Sequence, residues 1–373
     1  MKLSNLIKMA AVAAALTLGG SPLAGSESRS DWKAHWITPS LSQSATNTWI
    51  SYRKEFKVSE CPDRLVARIS ADSKYWMWIN GELAVFEGGL KRGPFPNGTY
   101  YDKVDIAPFL KEGDNTIAIL LWHFGKQGFS HNSSGQAALI FEAVSPGLEI
   151  LSDQSWVCAL NPAYGSTDAP HPNYRLPESN IRFDARKDMP GWNMPGFDVR
   201  GKMHGADNVD EMAWPAMGRM AERPIPMWKD YGLKEYVSVR QSNDTLYCKL
   251  PYNAQVTPYL KVEAKGGEMV RIMTDNYFGG SANNVRAEYI PRDGVQEYES
   301  LGWMNGHEVW YIVPSGVKVV DLKYRETGYD TEFSGTFECG DPFLNELWKR
   351  SARTLYITMR DTYMDCPDRE RAQ

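Results

Sequence analysis

The chain has no close pair of cysteines. Its five, Cys61, Cys158, Cys248, Cys339 and Cys366, are scattered and odd in number, and without a Cys-x-x-Cys spacing nothing supports a structural zinc site. They read as mostly free, buried thiols, with a single bridge as the lesser alternative. An excess of basic charge is also missing. The 41 Lys and Arg against 46 Asp and Glu leave a net charge of −5, which excludes the electrostatic footprint of a nucleic-acid binder. No apolar run reaches the roughly 20 residues that cross a bilayer as a helix. Internal repeats and low-complexity tracts are absent, and helical periodicity is scarce before residue 341. Long disorder is excluded too, because 42% of residues are hydrophobic and 23% charged, as in ordinary globular protein.

What is present begins with an address. Lys2 and Lys8 flank the start, positions 9–18 form a short apolar run, and small residues fill 19–25. This is the pattern of a secretory signal peptide, residues 1–25, cleaved near Ala24 or Gly25. The mature protein is therefore expected to be exported, periplasmic or extracellular. A chain of 373 residues implies two or three domains. Aromatic residues are abundant, with 13 Trp, 19 Tyr and 13 Phe. Their faces fill sandwich cores and also stack on sugars, so the enrichment hints at carbohydrate.

From 31 to 144 the pattern is alternation and short apolar runs broken by Gly, Pro and Asn. Residues 65–71 alternate with period two, and 116–122 and 137–143 read as strands covered on both faces. The clearest signal is 75–79, then Asn80-Gly81, then 82–86, because Asn-Gly suits the positive φ angles of a type I′ hairpin turn. Short strands at Trp156 to Cys158 and at 181–186 are expected to complete the same domain. Paired prolines make 220–227 a plausible linker. Strand patterns return at 258–264, 269–273 and 317–324. The fold class expected is mainly β, a jelly-roll sandwich followed by a second sandwich.

At Asp341 the period changes. Asp341 followed by Pro342 is an N-cap with proline at the first turn, and Leu344, Trp348, Ala352, Leu355 and Met359 then recur every three or four residues. The spacing predicts one amphipathic helix ending near Asp361. After it comes Asp365-Cys366-Pro367-Asp368-Arg369-Glu370-Arg371. Pro367 breaks regular helix here, so a loop can aim Asp365 and Glu370 into one cleft, as glycoside hydrolysis requires of its acids. An arginine facing Glu370 would keep it ionised and spoil it as a proton donor. Adjacent side chains usually diverge, so Arg369 is expected to orient Asp365 or a backbone carbonyl. Composition alone favours a solvated, salt-bridged turn.

The terminal segment nevertheless resembles the signature loop of bacterial α-L-rhamnosidases, inverting glycosidases with an (α/α)6 barrel. Four other segments resemble that family in the same order: residues 31–37, the Ile79-Asn80-Gly81 hairpin, 183–186 with 190–197, and 333–337 with 341–345. The layout expected is thus a signal peptide at 1–25, a jelly roll at 31–222 and a second β-sandwich at 229–335, and the resemblance implies that 336–373 is only the start of the barrel. It assigns Glu370 as the general acid and Asp365, with Arg369, to holding substrate hydroxyls. Many members carry the glutamate one position later. Glu370 is thus either the acid of a shortened loop, the favoured reading, or the counterpart of the family's following aspartate. The general base would lie beyond residue 373, so this chain by itself is expected to be inactive. Rhamnose-containing glycans are the implied partners, and no cofactor is called for because two carboxylates suffice.

Other residues carry blander readings. His123 and His131 read as structural rather than metal-binding. Trp76 and Trp78 share a strand face and could form a sugar platform, although core filling is favoured. Asp72, Asn97 and Asp102 offer hard oxygen ligands for calcium but suit turns better. The rival functions are a secreted carbohydrate-binding module without catalysis and a helical-barrel glycosidase for another sugar.

Overall fold

The computed structural model describes residues 26–28, 31–39, 45–91, 93, 98–209, 219–278 and 285–372. The expected signal peptide at 1–25 and Asn97 lie outside them. Among the described residues the chain is mostly β, with three sheets and one α-helix, Pro342–Ile357.

Two sheets face each other as a sandwich. One runs Thr99–Asp105, Val66–Ala71 and Leu139–Ser145 through its middle, all antiparallel. The other runs Val157–Leu160, Thr48–Val58, Gly113–His123, Lys74–Ile79 and Glu82–Gly88. Ile69, Leu139 and Phe141 from the first meet Ile50, Tyr52, Met77, Ile119 and Leu121 from the second in one buried core. Val157–Leu160 extends this sandwich as expected. The hairpin also forms as expected, with Ile79 opposite Glu82 and positive φ at Asn80 (54°) and Gly81 (86°), as a type I′ turn requires. Gly81 is needed for a second reason: a Cβ there would come within 2.5 Å of the Met194 sulfur.

The third sheet is organised around one strand of 21 residues, Thr245–Lys265. Its first half pairs with Met304–Ile312 and its second with Asp293–Glu299. The register slips between Lys249 and Ala254, where Pro251 supplies no N–H to the ladder. The bend lets the sheet fold over its own core of Val256, Leu260, Val262, Ile272, Tyr289 and Tyr311.

Three expectations need correction. Ile181–Asp184 does not complete the first sandwich; it pairs in parallel with Ala287–Ile290 in the third sheet. Its alternating Ile and Phe satisfy either sheet, and strand period carries no information about the partner. The proline-rich segment begins as a strand, Arg219–Glu222, paired with Thr99–Asp105, because its prolines start only at Pro224. The helix ends at Ile357, four residues short of Asp361. Thr358 terminates it, its N–H and hydroxyl both returning to Thr354 and Leu355 carbonyls.

The start of that helix matches the reading, since the Asp341 carboxylate accepts the Phe343 N–H at 2.9 Å. Its C-terminal end docks on the third sheet. Arg353 donates to the Asn253 carbonyl and to Glu326, and Gln255 to the Ile357 carbonyl. Tyr356 and Ile357 are buried, whereas Phe343, Leu344, Leu347 and Leu355 remain exposed. All five cysteines are free, but only Cys158 and Cys248 are buried. No helix among the described residues is long and apolar enough to cross a membrane.

Candidate active-site loop

Residues 358–372 close on themselves. Met364 N–H bonds to the Thr358 carbonyl, Asp365 N–H to Ala372, and Arg371 N–H to Cys366. Arg371 sits at φ 53°, a left-handed conformation that a bulky residue adopts only when its surroundings hold it there. The Arg371 side chain supplies the hold. Its guanidinium lies 3.5 Å from the centroid of the Trp303 ring. It donates to the Trp303 carbonyl at 3.0 Å, the Pro367 carbonyl at 2.8 Å and Glu178 Oε1 at 3.2 Å. Arg371 is thus a buried anchor joining the loop to the third sheet and to the segment before Ile181.

Behind the anchor lies a buried ionic network. Lys91 Nζ sits 3.5 Å from Glu178, and the Lys91 N–H donates to Asp361 at 3.1 Å. Arg360 meets Glu87 at 3.0 Å, and Glu87 pairs closely with Lys74. Arg360 also lies over Trp228 and Trp303, 4.6 and 5.0 Å from the ring centroids. Burial alone would push the Glu178 carboxyl up, but Lys91 and Arg371 outweigh it and hold the group well below the usual range. Asp361 is lowered in the same way, burial being outweighed by Lys91 and Lys74. Sequence reasoning missed this network. Arg360 and Asp361 were visible only as the expected helix end, and Glu178 and Lys91 lie far away in the chain.

Of the residues assigned to chemistry, Asp365 is exposed, Arg369 half-buried and Glu370 buried. Arg369 grips Glu370 bidentately, through a close Nε contact to Oε2 and Nη2 at 3.0 Å from Oε1. It also reaches Asp365 at 3.6 Å. The expectation that Arg369 orients Asp365 is met in part. That it would turn away from Glu370 is corrected, because the turn at 367–370 keeps neighbouring side chains on one side and a long arginine folds back. Arg175 approaches Glu370 from a different segment, at 3.7 Å. The Arg369 hydrogen bonds hold the Glu370 carboxyl below its ordinary range, with Arg175 adding to the effect. Glu370 keeps about a tenth of its side-chain surface, and Asp365 about half. The two carboxylates therefore share one arginine at the rim, and in this arrangement Glu370 is ionised at neutral pH.

Asp368 behaves oppositely. Burial pushes it up to about 6; Arg371 opposes the rise and Asp275 adds to it. It is the carboxyl of the loop that carries a proton most readily near neutral pH.

The other tempting residues are spoken for. Asp72 accepts from Ser73 and Ser134 and lies 3.3 Å from His123 and 3.6 Å from His131. Asp102 accepts from Tyr75, Gly89 and Arg223. His131 is further fixed to the Lys91 carbonyl at 2.8 Å.

Known proteins resemble this chain in sequence and fold. Residues 332–373, the helix and its loop, match the family model of the bacterial alpha-L-rhamnosidase 6 hairpin glycosidase domain. An alpha-L-rhamnosidase of Alteromonas sp. (strain LOR) is 22% identical over 91% of this chain and 39% of its own length. One from Formosa agariphila is 20% identical over 86% of this chain and 36% of its own. The fold is that of the GH78 family rhamnosidase of Bacillus sp. GL1, with TM-score 0.78 at 16% identity over 91% of this chain and 60% of that one. The resemblance to α-L-rhamnosidases read from the sequence thus holds along nearly the whole chain. The chain spans less than two fifths of the curated relatives it matches.

Proposed function

We propose that this chain supplies the β-rich frame and the proton-donor loop of an exported α-L-rhamnosidase-like glycoside hydrolase, which removes terminal α-L-rhamnosyl groups with inversion. The observation that carries the reading is the closed loop at 358–372, which lies within the rhamnosidase family match and gathers Asp365 and Glu370 around one arginine. Glu370 donates the proton to the leaving oxygen, and Asp365 accepts from a sugar hydroxyl. A donor must hold its proton at working pH, so Arg369 has to leave Glu370. Asp365, already 3.6 Å from the same guanidinium, is the acceptor onto which it moves when a sugar displaces it. Inversion calls for a second carboxylate roughly 6.5–9.5 Å from the donor, on the far side of a water. That group belongs to the part of the relatives that has no counterpart in these 373 residues. Hence this chain alone is inactive.

The test is an aryl α-L-rhamnoside assay of the 373-residue chain and of the longest product of its gene, with the released anomer followed by NMR. We expect no turnover from the former. A product spanning the length of the relatives should release the inverted anomer, and Glu370→Gln should lower its kcat by roughly 10²–10⁴. Retention of configuration, or full activity in Glu370→Gln, overturns the assignment.

A further inference from the structure

The strand Lys74–Ile79 is buried on both faces, and its two faces do different things. Tyr75, Met77 and Ile79 enter the sandwich core. Trp76 and Trp78 face the other way, into a second apolar cluster with Trp49, Trp122, Phe86 and Trp192. This cluster meets the third sheet at Ile181 and Tyr164, but beside Trp76 and Trp78 the cluster and the sheet do not close on each other. Between them lies a crevice of about 420 Å³, inside the range of roughly 300–1,000 Å³ of ordinary small-ligand pockets.

We propose that this crevice is a carbohydrate site, separate from the acid loop, that takes a neutral pyranose ring. Its walls offer rings from both sides, Trp78 and Phe86 from the sandwich, Tyr164 and Tyr298 from the third-sheet side. Phe86 is covered by Arg325 at 5.0 Å and Tyr164 is stacked on Trp49 at 4.3 Å. The Trp78 indole meets Trp192 only edge-on, at 5.8 Å, and stays partly exposed. Such a ring face packs against the C–H face of a sugar.

The polar groups of the lining point to hydroxyls. Trp76, fully buried, has an indole N–H with no hydrogen-bond partner. A buried donor in that state calls for an explanation. Asp188 and Arg292 stand on the same lining, each only partly buried. By contrast, Glu299 is taken up by Arg325 and Thr257, and Gln296 by Tyr289 and the Arg292 backbone. One carboxylate with an oxygen taken by the Met189 N–H, one guanidinium and one neutral donor match a ligand that both donates and accepts and carries no net charge. A purely apolar ligand would strand them.

The site is rigid before any ligand arrives. Arg53, 1% exposed, donates to the Trp192 and Met194 carbonyls at 3.0 and 2.7 Å. It thereby fixes the loop that carries Asp188, Pro190 and Gly191 along the crevice rim. Preorganisation of this kind lowers the ordering cost of binding.

The test uses the intact 373-residue chain, ¹⁵N-labelled, titrated with methyl α-L-rhamnopyranoside, methyl β-D-glucopyranoside and methyl β-D-galactopyranoside. We expect saturable shifts of the Trp76 and Trp78 indole N–H resonances with at least one glycoside. Trp78→Ala and Asp188→Asn should each weaken binding about tenfold, equal to about 1.4 kcal/mol. Asp188→Asn, a partly exposed substitution, keeps the test intact if Trp78→Ala fails to fold. Glu370→Gln should leave binding unchanged, which separates this site from the loop. No shift with any of the three at concentrations on the order of 10 mM, or shifts abolished by Glu370→Gln but not by Asp188→Asn, overturns the proposal. Either failure leaves the hydrolysis assay as the independent measure of the rhamnosidase reading.

Discussion

Two glutamates each face an arginine of the same loop, and the two pairs have opposite characters. Glu178 and Arg371 are both buried, and each is held by further fixed partners, Lys91 on one side and the Trp303 ring and carbonyl on the other. Glu370 is buried as well, but its partner Arg369 is about two-fifths exposed and already within reach of a second carboxylate. A buried pair braced in this way holds geometry, because removing one partner strands the other. A pair whose arginine is partly exposed can exchange partners at less cost, which a proton donor would need. The comparison assigns architecture to alternate arginines: Arg371 sets where the loop is, and Arg369 sets the charge state of what it carries.

The largest effect should come from breaking the deep pair. Arg371→Ala leaves Glu178 buried between fewer cations and should destabilise the loop's attachment by about 3–5 kcal/mol. The measurement is amide exchange at Asp365 and Arg371, whose N–H groups close the loop. Unchanged protection there would remove the anchor role. Arg369→Ala should change the same protection by less than about 1 kcal/mol.

A pH titration sharpens the contrast next. Glu178, Glu87 and Asp361 are lowered in the folded state, so the unfolded chain binds protons first. Their stabilisation is present above the unfolded carboxylate range, near 4, and is lost as pH falls through the lower folded values. Asp368 has the opposite sign. Raised to about 6, it contributes fully below its unfolded value and loses that contribution as pH rises through 6. Urea midpoints should therefore fall on the acid side and also decline modestly from pH 5 to 7. Asp368→Asn should abolish the second decline only; a decline that survives the substitution has another origin.

The smallest effect belongs to the exposed helix face. Phe343→Ser and Leu347→Ser should shift stability by no more than about 0.5 kcal/mol in this chain, since both side chains are exposed. A larger loss in thermal melts would mean that this face is covered in solution.

The parts legible in the sequence are those whose cause is local. Asn80-Gly81 specifies its turn through its own φ preferences, and Asp341-Pro342 caps its helix through atoms two residues apart. The acid loop was legible as a group of residue types but not in its pairing. Arg369 and Arg371 are the same amino acid two positions apart, and only the fold places one on Glu370 and the other on Trp303. Ile181–Asp184 was misplaced for a related reason: its alternation fits either sheet, and its partner strand lies about a hundred residues further on.

The sequence by itself determined the β-rich class, the hairpin, the helix start and the resemblance to α-L-rhamnosidases, because short-range dihedral preference and motif order are written along the chain. The tertiary structure decided which carboxylate is ionised, which arginine is an anchor, and that Trp76 and Trp78 border a crevice. Those properties depend on burial and on charges brought together across up to 270 residues of separation, as between Lys91 and Asp361. Solvent exclusion and through-space distance set such energies, and neither has a local signature.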